Sequence, residues 1–342
     1  MSTVIPTEGR RDGPRRVTFV TNPGDCNLRC VFCRDHSPLA QRPPAPPARM
    51  PWELLSAVLD ERRGSPLAEV IPSTRGEPLL YPHLDRLADR CAEQGLSLNV
   101  TTNGTFPVRG PAGWGERLYP VASDIKISWL GATAATAEAL MPGLSFERAL
   151  EDVRTFVAGR NAYRARTGRG CRVSFQVTAV EPNVSELPGI VELAASLGVD
   201  RVKVNHLQVH FESQRQLSLL RDPAAVGRWN EAVRAARDVA ARTAGAPPLL
   251  QNFAELAPDP EAAPPAPGPC PFLGREAWVL WDGRFAPCFA PGAADGRLGR
   301  FGTVQERTLG EIWASPEYRR LVDRQTDHPT CRACRLRRPG GA

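Results

Sequence analysis

Nine cysteines occur in a chain of 342 residues, and seven of them fall into two groups. Cys26, Cys30 and Cys33 stand in Asp25-Cys26-Asn27-Leu28-Arg29-Cys30-Val31-Phe32-Cys33, a C-x3-C-x2-C spacing. Cys270, Cys288 and the C-x2-C pair Cys331 and Cys334 form the second group, and Cys91 and Cys171 belong to neither. The amino terminus carries charges and prolines without an apolar signal, so reduced thiols are expected and metal ligation explains the groups better than disulfides do. Three thiolates from one loop are informative. A structural zinc site or an ordinary iron–sulfur cluster takes four ligands, so three leave a metal position open for an exchangeable one. A zinc site completed by a distant residue such as His36 is the alternative reading of the first group, and a four-thiolate zinc ribbon that of the second.

The remaining charge is less pointed. The formal net charge is +6, and of 43 basic residues only Lys126 and Lys203 are lysine. The positive residues are scattered, with no basic run interleaved with aromatics, so they read as a solvated surface rather than a nucleic-acid footprint. No stretch approaches the roughly 20 apolar residues of a membrane span. A cytoplasmic protein with no membrane and no nucleic-acid partner is expected.

The elements that would position these side chains alternate. Six β-branched or apolar runs, at 16–21, 68–72, 96–101, 122–128, 171–180 and 199–207, are separated by helical patterns, the first two at 52–62 and 81–93 and the last at 222–243. Repeated βα units around a parallel sheet follow. A Pro- and Ala-rich stretch, 246–269, reads as a linker or irregular strap. It divides a main domain, 16–245, from a smaller one, 270–335, with a leader at 1–15 and a tail at 336–342. In the smaller domain a hairpin is expected around Trp281-Asp282-Gly283 and one helix over 309–325.

Parallel sheets keep their chemistry in the loops at the carboxyl ends of the strands. The cysteine loop follows the first strand, Gly76-Glu77-Pro78 the second and Thr102-Asn103-Gly104 the third, while Ser128 ends the fourth. Alternation puts Asp124, Lys126 and Ser128 on one face of the fourth strand, and Ser174, Gln176 and Thr178 on one face of the fifth, with Val173, Phe175 and Val177 opposite. Lys126 and Lys203 share the polar parity, where an ammonium needs a carboxylate or a substrate oxygen. His206 and His210 lie at the end of the sixth strand and are candidate proton acceptors.

With its spacing and with Phe32 just before the last cysteine, the first group resembles the defining motif of the radical S-adenosylmethionine (SAM) superfamily. The resemblance implies an α/β fold, a partial (βα)6 TIM-like barrel with a small C-terminal twitch (SPASM-like) iron–sulfur domain. It implies that Cys26, Cys30 and Cys33 hold a [4Fe-4S] cluster whose fourth iron chelates SAM, whose 5'-deoxyadenosyl radical takes hydrogen from an unactivated carbon. Ser73-Thr74-Arg75-Gly76-Glu77-Pro78 stands where the family has its GGEP motif, which binds the methionine amino group, with Arg75 in place of the first Gly. Phe32, Gly76, Glu77, Pro78, Asn103, Ser128 and Gln176 are the implied SAM contacts. The second group, with Leu309-Gly310-Glu311-Ile312-Trp313 and Ser315-Pro316-Glu317-Tyr318, resembles SPASM and twitch extensions. No cysteine follows Cys334, so its four thiolates suffice for one auxiliary [4Fe-4S] cluster. An external one-electron reductant such as flavodoxin or ferredoxin is implied as well.

A fully ligated auxiliary cluster has no open iron, so electron transfer with a substrate radical is its expected task. Dehydrogenation of a carbinol carbon in an aminoglycoside, aminocyclitol or sugar, giving a ketone, is the first reading. Epimerisation of an aminoglycoside sugar would need a thiol to return hydrogen, and only Cys91 and Cys171 are spare. Cys91 lies on the apolar stripe of a helix, and Cys171 begins the fifth strand with the parity of Val173 and Phe175, away from the interior. A peptide-modifying enzyme is the rival reading. Such enzymes often carry a recognition domain before the barrel, for which a leader of about 15 residues is too short.

Overall fold

The computed structural model describes residues 13–40, 48–61, 64–72, 75–259, 268–290 and 292–337. The leader up to residue 12, Arg62, Ser73 and Thr74 of the GGEP-like motif, residues 260–267 of the Pro-rich stretch, and the tail beyond 337 lie outside the described residues. In chain order the elements are β1 (Arg16–Phe19), α1 (Trp52–Asp60), β2 (Glu69–Pro72), α2 (Leu84–Glu93), β3 (Ser97–Thr102), α3 (Gly110–Leu118) and β4 (Ala122–Ser128). There follow α4 (Ala134–Leu140), α5 (Phe146–Thr167), β5 (Arg172–Ala179), α6 (Leu187–Leu197), β6 (Arg201–His206), α7 (Pro223–Arg242) and β7 (Leu249–Gln251). The chain ends in β8 (Glu276–Val279), β9 (Phe285–Ala286), α8 (Leu309–Ala314), α9 (Pro316–Asp323) and α10 (Pro329–Arg332).

The nine strands of the described residues form one open sheet in the order β7-β6-β5-β4-β3-β2-β1-β8-β9, parallel throughout except for the β8–β9 hairpin. The six expected strands therefore lie side by side in chain order. Two features differ from expectation. Leu249–Gln251, inside the Pro-rich stretch, pairs with β6. β8, from the smaller C-terminal segment, pairs with β1. Without these additions β6 and β1 would be bare edges, and a parallel sheet tolerates exposed edges poorly.

Side-chain parity sorts the layers. Val173, Phe175 and Val177 are fully buried and share one core with Val153, Phe156 and Val157 of α5 and Ile190 and Val191 of α6. That core continues without a break into Phe285, Phe301, Trp313 and Tyr318 of the C-terminal segment, whose rings pack edge-on or tilted within 4.9 to 5.8 Å. Local capping sets the helix ends: the Asp222 carboxylate accepts the Ala225 N–H at 2.7 Å ahead of Pro223. The helix expected over 309–325 is instead two, because Ser315 is extended and its hydroxyl caps α9 just before Pro316.

The amino ends of the strands are tied by charge. Arg16 bridges Glu69 at 2.5 Å and Glu276 at 2.6 Å, joining the first residues of β1, β2 and β8. Asp124 accepts from the Ser174 hydroxyl at 2.7 Å and is ion-paired with Arg201, both partners nine-tenths buried. An Arg201→Leu variant strands the Asp124 charge in the interior and is expected to cost about 3–5 kcal/mol, read from the urea midpoint of the cluster-loaded protein. Arg16 is more than a third exposed, so Arg16→Leu is expected to cost less.

Candidate active site and iron–sulfur centres

The cysteine loop leaves the carboxyl end of β1 and lies over the ends of β4 to β6. Leu28 packs with Leu130, Leu140, Met141, Val180 and Leu207, a cluster bordered by Cys26, Cys30 and Phe32. Leu130, Val180 and Leu207 stand just beyond β4, β5 and β6. The Arg29 and Val31 N–H groups donate to the Pro142 and Leu140 carbonyls, each at 3.0 Å. The loop is thus plugged into the sheet by one leucine and pinned by backbone.

Its thiols are half-buried and raise one another's cost of ionisation. Cys26 accepts the Leu28 N–H at 3.5 Å, and Cys33 accepts the Asp35 and His36 N–H groups at 3.4 Å each. Burial pushes the Cys26 thiol up to about 11 and raises Cys30 and Cys33 as well, with neighbouring thiolates adding to it for Cys26 and Cys30. A donor set that is costly to ionise alone, yet supplied with N–H groups aimed at sulfur, fits a cationic iron cluster. His36 Nε2 sits 2.9 Å from the Pro23 carbonyl, so the ring proposed as a zinc ligand is engaged with backbone. Among the described residues no group of three or more His, Cys, Asp or Glu side chains is placed around a single ion.

The GGEP-like loop braces this one. Gly76 has φ +76°, and a Cβ there would stand 2.2 Å from the Asn22 carbonyl and 2.7 Å from that of Asp25. Glu77 is 1% exposed. Its carboxylate accepts from the Thr102 hydroxyl at 2.7 Å, the Asn103 N–H at 2.8 Å and the Leu79 N–H at 3.1 Å. Burial still pushes it up to about 7. The carboxylate expected to meet the methionine amino group is therefore committed to the loop scaffold, and Pro78 opens the short turn it caps. Asn103 carries the brace onward, donating to Asn27 at 2.8 Å with its amide nitrogen 4.0 Å from Cys26 Sγ.

Inside the sheet, Ser128, Gln176, Lys203 and Gln251 stand in register across β4, β5, β6 and β7. Lys126 lies two residues before Ser128 on the same face. Burial pushes it down to about 8, the nearby Lys203 and Arg16 charges add to this, and Asp124 opposes it. Gln251 escaped the sequence reading because its strand is three residues long and sits in the Pro-rich stretch. Its Oε1 is a buried acceptor without a hydrogen-bond partner.

The histidines divide. His206 shares the parity of Val202 and Val204 and packs edge-on against Trp229 of α7, with ring centroids 4.5 Å apart. Burial pushes it down to about 4. It faces the helix layer, away from the interior where a proton acceptor is expected. His210 lies in the exposed loop after β6, its N–H donating to Gln214 at 3.0 Å. Cys171 and Cys91 are both fully buried in the outer core, and burial pushes the Cys171 thiol up to about 12. Neither faces the Ser128–Gln251 row.

The second cysteine group converges. Cys270, Cys288, Cys331 and Cys334 line one apolar cavity with Phe272, Phe289 and Leu336. Cys270 accepts the Phe272 and Leu273 N–H groups and Cys288 that of Ala290, all at 3.4 Å. Burial and the other three thiolates push Cys288 up to about 12. The hairpin brings Cys288 to this cavity, and the α9–α10 segment brings the C-x2-C pair.

Residues 23–151 match the family model of the radical SAM superfamily, and residues 270–335 match the SPASM iron–sulfur cluster-binding domain. The chain thus carries a radical SAM domain followed by a SPASM domain. Its cofactors are those of the two domains: SAM and a [4Fe-4S] cluster in the first, and auxiliary iron–sulfur chemistry in the second. It is 28% identical over 313 residues to a PqqA peptide cyclase of Methylorubrum extorquens, covering 90% of this chain and 74% of that one. It is 24% identical to the tungsten-containing aldehyde ferredoxin oxidoreductase cofactor-modifying protein of Pyrococcus furiosus, over 91% and 85% of the two chains. Among solved structures, SuiB of Streptococcus suis bound to its precursor peptide SuiA shares the fold, with TM-score 0.65, 19% identity, and 95% and 70% coverage. No described helix is long and apolar enough to cross a membrane.

Two outcomes follow from this geometry. Gly76→Ala is expected to reduce the iron held by Cys26, Cys30 and Cys33 while sparing that of the four-thiolate cavity, distinguished by the spectra of the two clusters. An alanine held at that φ carries strain of order 1–3 kcal/mol, to which the backbone clash adds. Cys171→Ala, far from the interior row, is expected to leave the product unchanged by mass and by solvent deuterium content.

Proposed function

We propose that this chain oxidatively modifies a peptide side chain, in preference to dehydrogenating an aminocyclitol or epimerising an aminoglycoside sugar. The observation that carries the reading is the likeness to PqqA peptide cyclase along nine-tenths of the chain. The epimerase reading lacks its hydrogen donor, because both spare thiols are buried in the outer core.

In this reading Cys26, Cys30 and Cys33 hold the SAM-binding cluster, and Cys270, Cys288, Cys331 and Cys334 hold the auxiliary one. When bound, these groups supply a 5'-deoxyadenosyl radical for abstraction from an unactivated carbon and an acceptor for the electron left behind. Phe32, Gly76, Pro78 and Asn103 shape the rim of the SAM site, with Glu77 as its internal brace. Ser128 and Gln176 present polar atoms to SAM from the interior row, and Lys203 and Gln251 extend that row toward the substrate. Lys126 takes the proton that the substrate side chain loses, since its depressed value leaves a large neutral fraction just above pH 8.

The test is anaerobic turnover with a chemical reductant, SAM and a panel of synthetic peptides that includes PqqA, run beside a panel of aminocyclitols. Formation of 5'-deoxyadenosine with a peptide lighter by two hydrogens is expected. A ketone from an aminocyclitol, with every peptide unchanged, would overturn the proposal. Lys126 is protonated below its value, so product formation should rise through about pH 8. Lys126→Met should lose that dependence together with roughly 10²-fold of the rate.

A further inference from the structure

Arg75 is the residue at which this chain departs from the GGEP pattern, and its side chain has a defined task. Its guanidinium meets Asp35 through two parallel bonds, Nε to Oδ2 at 2.7 Å and Nη2 to Oδ1 at 2.6 Å. The Asp35 side chain is 4% exposed and that of Arg75 28%. Asp35 stands two residues beyond Cys33, and its own N–H donates to Cys33 Sγ at 3.4 Å. A planar fork of this kind fixes both distance and orientation, which a lysine would not. The fork therefore connects the two loops of the site at the thiol of the last cysteine.

We propose that Arg75 and Asp35 act as a neutral charge pair that positions Cys33 and sets the reduction potential of the cluster it helps to hold. Reduction adds one electron to the cluster. A fixed negative charge nearby disfavours the reduced form and a positive one favours it, while hydrogen bonds to sulfur tune the same balance. Both charges lie beside Cys33, Asp35 through its N–H bond to the sulfur and Arg75 through its fork onto Asp35. Asp295 of the C-terminal segment adds a further negative charge near Arg75. Paired, Arg75 and Asp35 offset each other's charge at the cluster; neutralising either removes its share of that balance.

The test is a redox titration of the cluster-loaded enzyme, followed by the paramagnetic signal of the reduced SAM-binding cluster and without substrate. Arg75→Gln is expected to lower the midpoint potential, Asp35→Asn to raise it, and the double variant to return close to wild type. The auxiliary cluster, measured in the same sample, should move less in every variant. Single variants that shift in the same direction, or that keep their iron and do not shift, overturn the proposal. Arg75→Lys keeps the charge and loses the fork, which guards against loss of the cluster in the neutral variants. Its potential is expected to shift less than that of Arg75→Gln, and a shift as large would assign the effect to packing and overturn the charge account.

Discussion

Three thiolates in one half-buried loop repel one another, and partial desolvation makes each of them costly to ionise. Iron relieves that cost, but the loop must be held from outside to present its sulfurs together. Most of the site is an answer to this requirement. Leu28 anchors the loop to the tops of β4 to β6. Gly76 lets a second loop approach to backbone contact, and Glu77 then reaches past it to hold Asn103 of a third. Asn103 turns back toward Asn27 and Cys26, so the brace closes on itself through three successive βα loops.

The same sheet carries a gradient from stability to chemistry. At the amino ends of the strands the charges are matched, Arg16 with Glu69 and Glu276, and Arg201 with Asp124. Two or more residues further along, Lys126, Gln176, Ser128 and Gln251 turn polar atoms into the interior, one of them a buried acceptor with no partner. Matched buried charges are what a rigid floor requires, and unmet polar groups are what a ligand can satisfy. The C-terminal segment belongs to this arrangement rather than standing apart, because β8 extends the sheet from β1 and the hydrophobic core runs through both parts.

Much of this was legible in the sequence, for identifiable reasons. The cysteine spacings are local, so the division of seven thiols between one loop and one C-terminal cavity could be read without coordinates. Strand parity has period two and the runs are strongly β-branched, so the interior positions of Lys126, Ser128 and Gln176 and the outward turn of Cys171 were readable as well. The single helix expected over 309–325 failed at Ser315-Pro316, where a capping hydroxyl and a ring without an N–H both favour a break.

Other features depend on contacts between residues far apart in the chain. Nothing in the Pro-rich stretch marks Leu249–Gln251 as a strand, because its stability comes from the exposed edge of β6. His206 looked like a group at the mouth because it ends a strand, and only Trp229 on α7 reveals that it faces outward. Glu77 carried the expectation of a ligand contact, and only the approach of Thr102 and Asn103 makes it a brace. The sequence by itself determined which atoms can hold iron, since that is a matter of residue type and local spacing. The tertiary structure decided which neighbours surround those atoms, since burial, charge compensation and the direction of a side chain arise only when distant segments meet.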